Sequence, residues 1–197
     1  PWLSGYIISY YYLGYVILAM LIKLSGIPAA IGFNLSLALL FALTLTGAFG
    51  VVYNLTTRKP AEGEPVTGSV GYSLLGALFV AVLGNLEGFL EVLHGGGVGS
   101  PAFWAWLDIK DINGPATGAG WMPDRFIWWW RASRVITDRV GGGVNEVIDE
   151  FPFFSFLLGD NHPHVLALPF VLLAVAFAVN VLRSPKLAEL LSPRDWR

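Results

Sequence analysis

Two of the chain's three histidines stand two residues apart beside a carboxylate, in Gly159-Asp160-Asn161-His162-Pro163-His164. An uncharged apolar run, residues 151–158, leads into this knot, and a second, residues 165–182, leads out. Ionisable groups wedged between membrane-grade apolar segments are costly and mark function. Asp160, His162 and His164 are therefore candidates for acid–base work on an acceptor hydroxyl, or for metal binding. Alternate residues share a face only where the backbone is extended, and Pro163 pushes His162 out of the helical region. The competing expectation is a helix start, with Asp160 or Asn161 as N-cap and Pro163 in the first turn. A cap explains Asp160 but leaves two histidines over.

Two further groups carry chemistry. Glu87, Glu91 and His94 have helical spacing that puts all three on one face. They can ligate a divalent metal, bind a cation or relay protons, or simply be wet at the end of a span. Trp128, Trp129 and Trp130 precede Arg131, with Arg134 a turn later. Arginine forks grip phosphate bidentately, and indole faces stack on sugar rings. The same residues also suit a helix lying on the bilayer, tryptophans at headgroup depth and arginines on lipid phosphates.

Several apolar segments must position these groups. The chain is 55% hydrophobic and only 13% charged, with a mean hydropathy of +0.61. A soluble domain carries about 25% charged residues, so the composition indicates an all-α membrane protein. Four transmembrane helices are expected, over residues 6–24, 27–53, 69–93 and 165–182. A long extramembrane loop, 94–164, should hold interfacial helices over 101–108 and 123–138. Phe103, Trp104 and Trp106 suit an interfacial position. Gly47 and Gly50 should let a neighbouring helix approach. The lipid bilayer is thus the first expected partner. A net charge of −2 gives no sign of nucleic acid, and the absence of cysteine excludes disulfides and thiolate metal sites.

Orientation is argued from positive charge. Arg58 and Lys59, with Arg183, Lys186, Arg194 and Arg197, share one side, opposite the long loop, and short-loop counting makes that side cytoplasmic. The first residues read as the tail of a loop, and the chain is expected to be a piece of a longer polypeptide.

Four motifs occur in order along the chain. They are Tyr10-Tyr11-Tyr12 followed by Gly14-Tyr15, Gly84-Asn85-Leu86-Glu87-Gly88, the run from Trp128 to Ile136, and Glu150-Phe151-Pro152-Phe153-Phe154-Ser155-Phe156 leading into the knot. With them the chain resembles the large prokaryotic "YYY" multi-pass membrane proteins, a domain of unknown function. Asn161 departs from the pattern, which has an apolar residue such as leucine there. The resemblance implies a relation to the class C glycosyltransferase fold, whose members take sugar from a polyprenyl-phosphate donor. It also implies that the main catalytic acid lies in an external loop upstream of Pro1. On that reading Arg131 and Arg134, with the tryptophans and Tyr11 and Tyr12, bind the donor. Asp160, His162 and His164 then serve the acceptor, and Glu87, Glu91 and His94 complete a possible divalent-metal site.

Two other classes of function are compatible with the same residues. A broken helix beside ionisable groups is how carriers bind ions, which makes the chain a transporter or proton relay. A non-catalytic membrane scaffold is the third. The depth of His162 separates them: water-facing for an enzyme, buried mid-bilayer for a carrier.

Overall fold

The computed structural model describes residues 5–6, 10–57, 65, 67–122, 128–138, 141, 143 and 145–184; of Trp128 and Trp129 it describes the backbone alone. Arg58, Lys59, Lys186, Arg194 and Arg197, on which the sidedness argument rests, lie outside the described residues. The chain forms two units, Pro1–Val82 with Ser155–Arg197, and Leu83–Phe154. The architecture is helical, as the composition demands.

The first unit is organised on α2 (Ala29–Leu55), which packs against α3 (Val70–Leu78) and α8 (Pro163–Leu182). The buried face of α2 is Gly32, Ser36, Leu40, Thr44, Ala48 and Val51, a stripe spaced one helical turn apart and mostly small. Its hydroxyls turn back on the helix. Ser36 Oγ donates to the Phe33 carbonyl at 2.6 Å and Thr44 Oγ1 to the Leu40 carbonyl at 2.8 Å. An uncharged helix can bury such hydroxyls because their bonds are met internally. Leu40, Val165 and Leu166 form the unit's apolar core, with Leu18 and Phe156 against it.

Helices α2 and α8 run parallel. Asn161, just before α8, bonds Ser36 near the start of α2. Gly47 faces Leu172 midway. At the far end the Arg183 guanidinium donates to the Asn54 and Thr57 carbonyls, where a cation meets the negative end of the α2 dipole. Gly47 gives the expected close approach; Gly50 has nothing within 4 Å of a Cβ position.

Among the described residues, two helices, α2 and α8, are long and apolar enough to cross a membrane, and there is a third span if the broken pair Val70–Leu83 and Glu87–Gly95 counts as one. The expected span over 6–24 differs. Helix α1 is Leu13–Ser25, with 13 residues, about 20 Å at 1.5 Å per residue. Tyr12 stands at its N-cap, since three successive bulky aromatics lose rotamer freedom in a helix and start one poorly. The expected span over 69–93 is interrupted. After α3 the backbone widens to a π-helix, Phe79–Leu83, and stops at Gly84, whose φ of 53° is left-handed.

The second unit holds α4 (Glu87–Gly95), α5 (Pro101–Leu107), α6 (Trp128–Arg131) and a two-stranded ladder of β1 (Thr137–Asp138) and β2 (Asn145–Glu146). Helix α7 (Pro152–Leu158) carries the chain back to the first unit. The α5 helix fulfils the expectation over 101–108, but Trp104 is core rather than interfacial. It is fully buried with Ile109 and Ile112, and its indole N–H donates to the Val98 carbonyl at 3.1 Å. Trp106 is the exposed ring. The helix expected over 123–138 is four residues long where described, residues 123–127 lying outside the described set. The chain turns at Ala132 and Ser133, both buried, and the β-branched Val135-Ile136-Thr137 then favours extended backbone.

Candidate functional site

The knot is built by the end of α7 and the start of α8. Gly159, at φ 70°, closes α7: the Asp160 N–H donates to the Ser155 carbonyl at 3.0 Å and the Gly159 N–H to the Phe156 carbonyl at 3.2 Å. This paired closure needs a left-handed residue, which glycine supplies. Pro163 opens α8, and His162 is its N-cap, extended at φ −61° and ψ 154°. The competing expectation is thereby corrected. Neither Asp160 nor Asn161 stands at the N-cap of α8, and His162, which does, makes no side-chain cap bond. Pro163 sets the geometry instead, by forcing the residue before it out of the helical region.

The polar side chains then separate into distinct roles. The Asp160 carboxylate meets His162 Nδ1, and both side chains are about 40% exposed. The contact is a close approach only: Nδ1 is buried and makes no hydrogen bond among the described residues. A carboxylate beside one ring nitrogen favours the tautomer that carries its proton there and leaves the other nitrogen able to accept one. His164 Nε2 lies 2.9 Å from Ser155 Oγ. Ser155 is 1% exposed, so it holds the imidazole rather than acting as a nucleophile. The rings of His162 and His164 are 5.6 Å apart. Asn161 is buried and donates to Ser36 Oγ at 2.9 Å.

The tyrosines meet the knot across a groove. Tyr10, Tyr11 and Tyr12 line one wall, and Pro163, His164 and Phe170 are on the other, around about 1000 Å³. Tyr15 is close enough to Tyr10 and Asp160 to interact with them electrostatically. The groove exists because α1 crosses α8 at a glycine: a Cβ on Gly14 would lie 2.8 Å from Leu166 Cβ. It is an apolar trough with phenols and an imidazole at its rim, suited to a long amphiphile.

The second unit joins the remaining motifs. Asn85 Nδ2 donates to the Ala132 carbonyl at 2.8 Å, and its Oδ1 accepts the Glu87 N–H at 3.0 Å. Phe151 packs against Gly84, and against Ala132 and Phe154. Arg131 is held by Asp111 and Glu146, each at 3.4 Å, which offsets much of the charge a phosphate would use. Lys110 also pairs with Glu146. The hydrogen bond from Lys110 and the charges of Lys110, Arg131 and Arg134 hold the Glu146 carboxyl below its ordinary value. Arg134 stacks over the Trp130 ring at 3.9 Å, a cation–π pair. Of the predicted donor-binding residues, the side chains of Trp128 and Trp129 lie outside the described residues.

Glu87, Glu91 and His94 share one buried face of α4, as their spacing predicts. Among the described residues, however, no three His, Asp or Glu side chains form a set that could hold a metal ion. His94 is engaged elsewhere, with Nε2 at 3.3 Å from the Gly114 carbonyl and its ring edge-on to Trp104. Asp160, His162 and His164 form no such set either.

The residues that sequence reasoning missed are Ser155, Asn85 as a clasp, Gly14, Glu146 and Lys110. Ser155, Asn85 and Gly14 sit inside the four motifs, and that was their signal. Glu146 and Lys110 are 36 residues apart and carry none.

The family model for Uncharacterized membrane protein (DUF2298) matches residues 1–193. The chain belongs to this family. Comparison with curated proteins gives no match, and comparison with solved structures gives none. Membership accords with the long apolar helices and makes the lipid bilayer this protein's surroundings.

Proposed function

We propose that this DUF2298 protein is a multi-pass cell-membrane protein of glycosyltransferase type, moving a sugar from a polyprenyl-phosphate-linked donor. The observation that carries the reading is the apolar groove of about 1000 Å³ with Tyr10–Tyr12 and His164 at its rim. A polyprenyl chain needs such a trough, and its head needs hydrogen-bonding groups at one end of it. The Asp160–His162 pair supplies a half-exposed base beside it.

Depth supports the same reading. Ser36, which bonds Asn161, precedes Asn54, which takes Arg183, by 18 positions on α2. That is about 27 Å along a helix, close to the roughly 30 Å of hydrocarbon in a bilayer. The knot is thus offset toward one side of the spans, whereas carriers bind near the midplane.

Ion or proton carriage is the second reading. The break at residues 84–86, followed at once by buried Glu87 and Glu91, favours it. The test uses the full-length protein in nanodiscs, with a radiolabelled polyprenyl-phosphate hexose and mixed acceptors. Asp160→Asn and His162→Gln should each lower transfer by about 100-fold or more, the contribution of a positioned base. Wild-type rates in both variants sink the assignment. Proton uptake into proteoliposomes, lost in Glu87→Gln and unaccompanied by sugar transfer, establishes the carrier instead.

A further inference from the structure

Asn161 is the most deeply buried polar group of the knot, at 2% exposed. Its neighbours in sequence, Asp160 and His162, are both about 40% exposed and meet each other. This is the alternation of an extended link: two side chains out on one face, and one between them turned in. The link is short, held at one end by the Gly159 closure of α7 and at the other by Pro163 of α8. The inward side chain reaches across 125 positions to Ser36 Oγ, and Ser36 in turn donates to the Phe33 carbonyl.

The bond is a poor source of stability. Asn161 Oδ1 is buried without a hydrogen-bond partner among the described residues. A half-met buried amide is destabilising relative to one fully bonded, and an apolar residue of the same size fills the space with no such cost. A leucine, though, has no direction. It does not distinguish the register in which residues 160 and 162 face outward together from one in which the link twists and separates them.

We infer that Asn161 is a positioning residue: its bond to Ser36 of α2 fixes the register of the 159–162 link, and so holds the Asp160 carboxylate on His162 Nδ1. The carboxylate held beside Nδ1, a close contact without a hydrogen bond at that atom, then favours the tautomer with the proton on Nδ1. This deepens the functional reading above and rests on it only for the activity measurement.

The test compares wild type, Asn161→Leu, the double variant N161L/S36A, and the conservative Ser36→Thr, all in the full chain. Replacing both partners by apolar groups is nearly neutral for stability, so the double variant should unfold within a few degrees of wild type. Solid-state ¹⁵N NMR of labelled histidine reads the tautomer, with His162 assigned by its loss in His162→Gln. Wild type and S36T should show a single His162 tautomer, while N161L and N161L/S36A show a mixture. Where sugar transfer is measurable, kcat should fall on the order of 100-fold with KM unchanged, the cost of a misplaced catalytic group. A folded N161L/S36A that retains a single tautomer overturns the inference. Wild-type protein without transferase activity overturns only the functional reading, since the tautomer measurement still decides this one.

Discussion

Gly14→Ala tests how α1 is held against the rest of the first unit. An alanine Cβ at this position would lie 2.7 Å from Leu166 Cδ1, 2.8 Å from its Cβ and 3.2 Å from its Cγ. Ordinary carbon contacts are about 3.5–4.0 Å. The Cδ1 overlap can be relieved by a rotamer change, but the Cβ overlap cannot, because Leu166 Cβ is fixed by the α8 backbone. Helix α1 must therefore move away by nearly 1 Å, and the tyrosine wall of the groove moves with it. Overpacking of this kind costs about 1–3 kcal/mol, against a gain of up to about 1 kcal/mol from replacing glycine by alanine within a helix. The net expectation is a loss of roughly 0–3 kcal/mol.

The same substitution elsewhere removes the ambiguity. Gly50 lies within α2 and has nothing within 4 Å of its Cβ position, so Gly50→Ala should gain up to about 1 kcal/mol. The difference between the two variants isolates the contact at about 1–3 kcal/mol. Leu166→Ala should restore G14A only in part, since the Cβ remains, and Leu166→Gly more fully; a double-mutant cycle measures the coupling. Reversible unfolding in mixed micelles supplies the free energies. If G14A is as stable as G50A, the crossing of α1 and α8 at this glycine is wrong.

Two predictions concern the second unit. Glu146 has a carboxyl held below its ordinary value of 4.5, first by the Lys110 hydrogen bond and then by the charges of Lys110, Arg131 and Arg134. A depressed value means that the unfolded chain binds the proton more readily, so this contribution is present above pH 4.5 and lost as pH falls through the lowered folded value. Glu146→Gln should accordingly lower the thermal midpoint at pH 7 and leave it unchanged at pH 2–3; an equal deficit at both refutes the ion-pair account. Asn85→Ala removes both the clasp on the Ala132 carbonyl and the acceptor of the Glu87 N–H, at a cost of about 1–3 kcal/mol. Limited proteolysis should then cut between residues 84 and 138 well before wild type is cut, and unchanged cleavage counts against the clasp.

Much of the helical frame was legible because apolar runs fix where a chain can lie in a bilayer. The α2 and α8 segments, the α5 helix, and the shared face of Glu87, Glu91 and His94 all follow from local pattern. So does the extended His162, since proline acts on the residue directly before it. The interruption at residues 84–86 was harder, because hydropathy averages across the glycine that breaks the helix. The helix expected over 123–138 ends at Arg131 for a related reason. Tryptophans and arginines suggest an amphipathic helix, but the β-branched Val135-Ile136-Thr137 after them and the burial of Ala132 and Ser133 end it.

What the sequence by itself determined was the medium, the long helices and the groups able to do chemistry. Composition and periodicity are local, and so is the reach of a proline. What only the tertiary structure decided was which of those groups meet. Ser36 finds Asn161, Gly14 finds Leu166, and Glu146 gathers Lys110 and Arg131. Each contact joins segments far apart in the chain, where spacing carries no signal. The Asn161 amide shows the difference: in the sequence it only adds polarity to the knot, and in the fold it turns inward and leaves Asp160 and His162 facing each other.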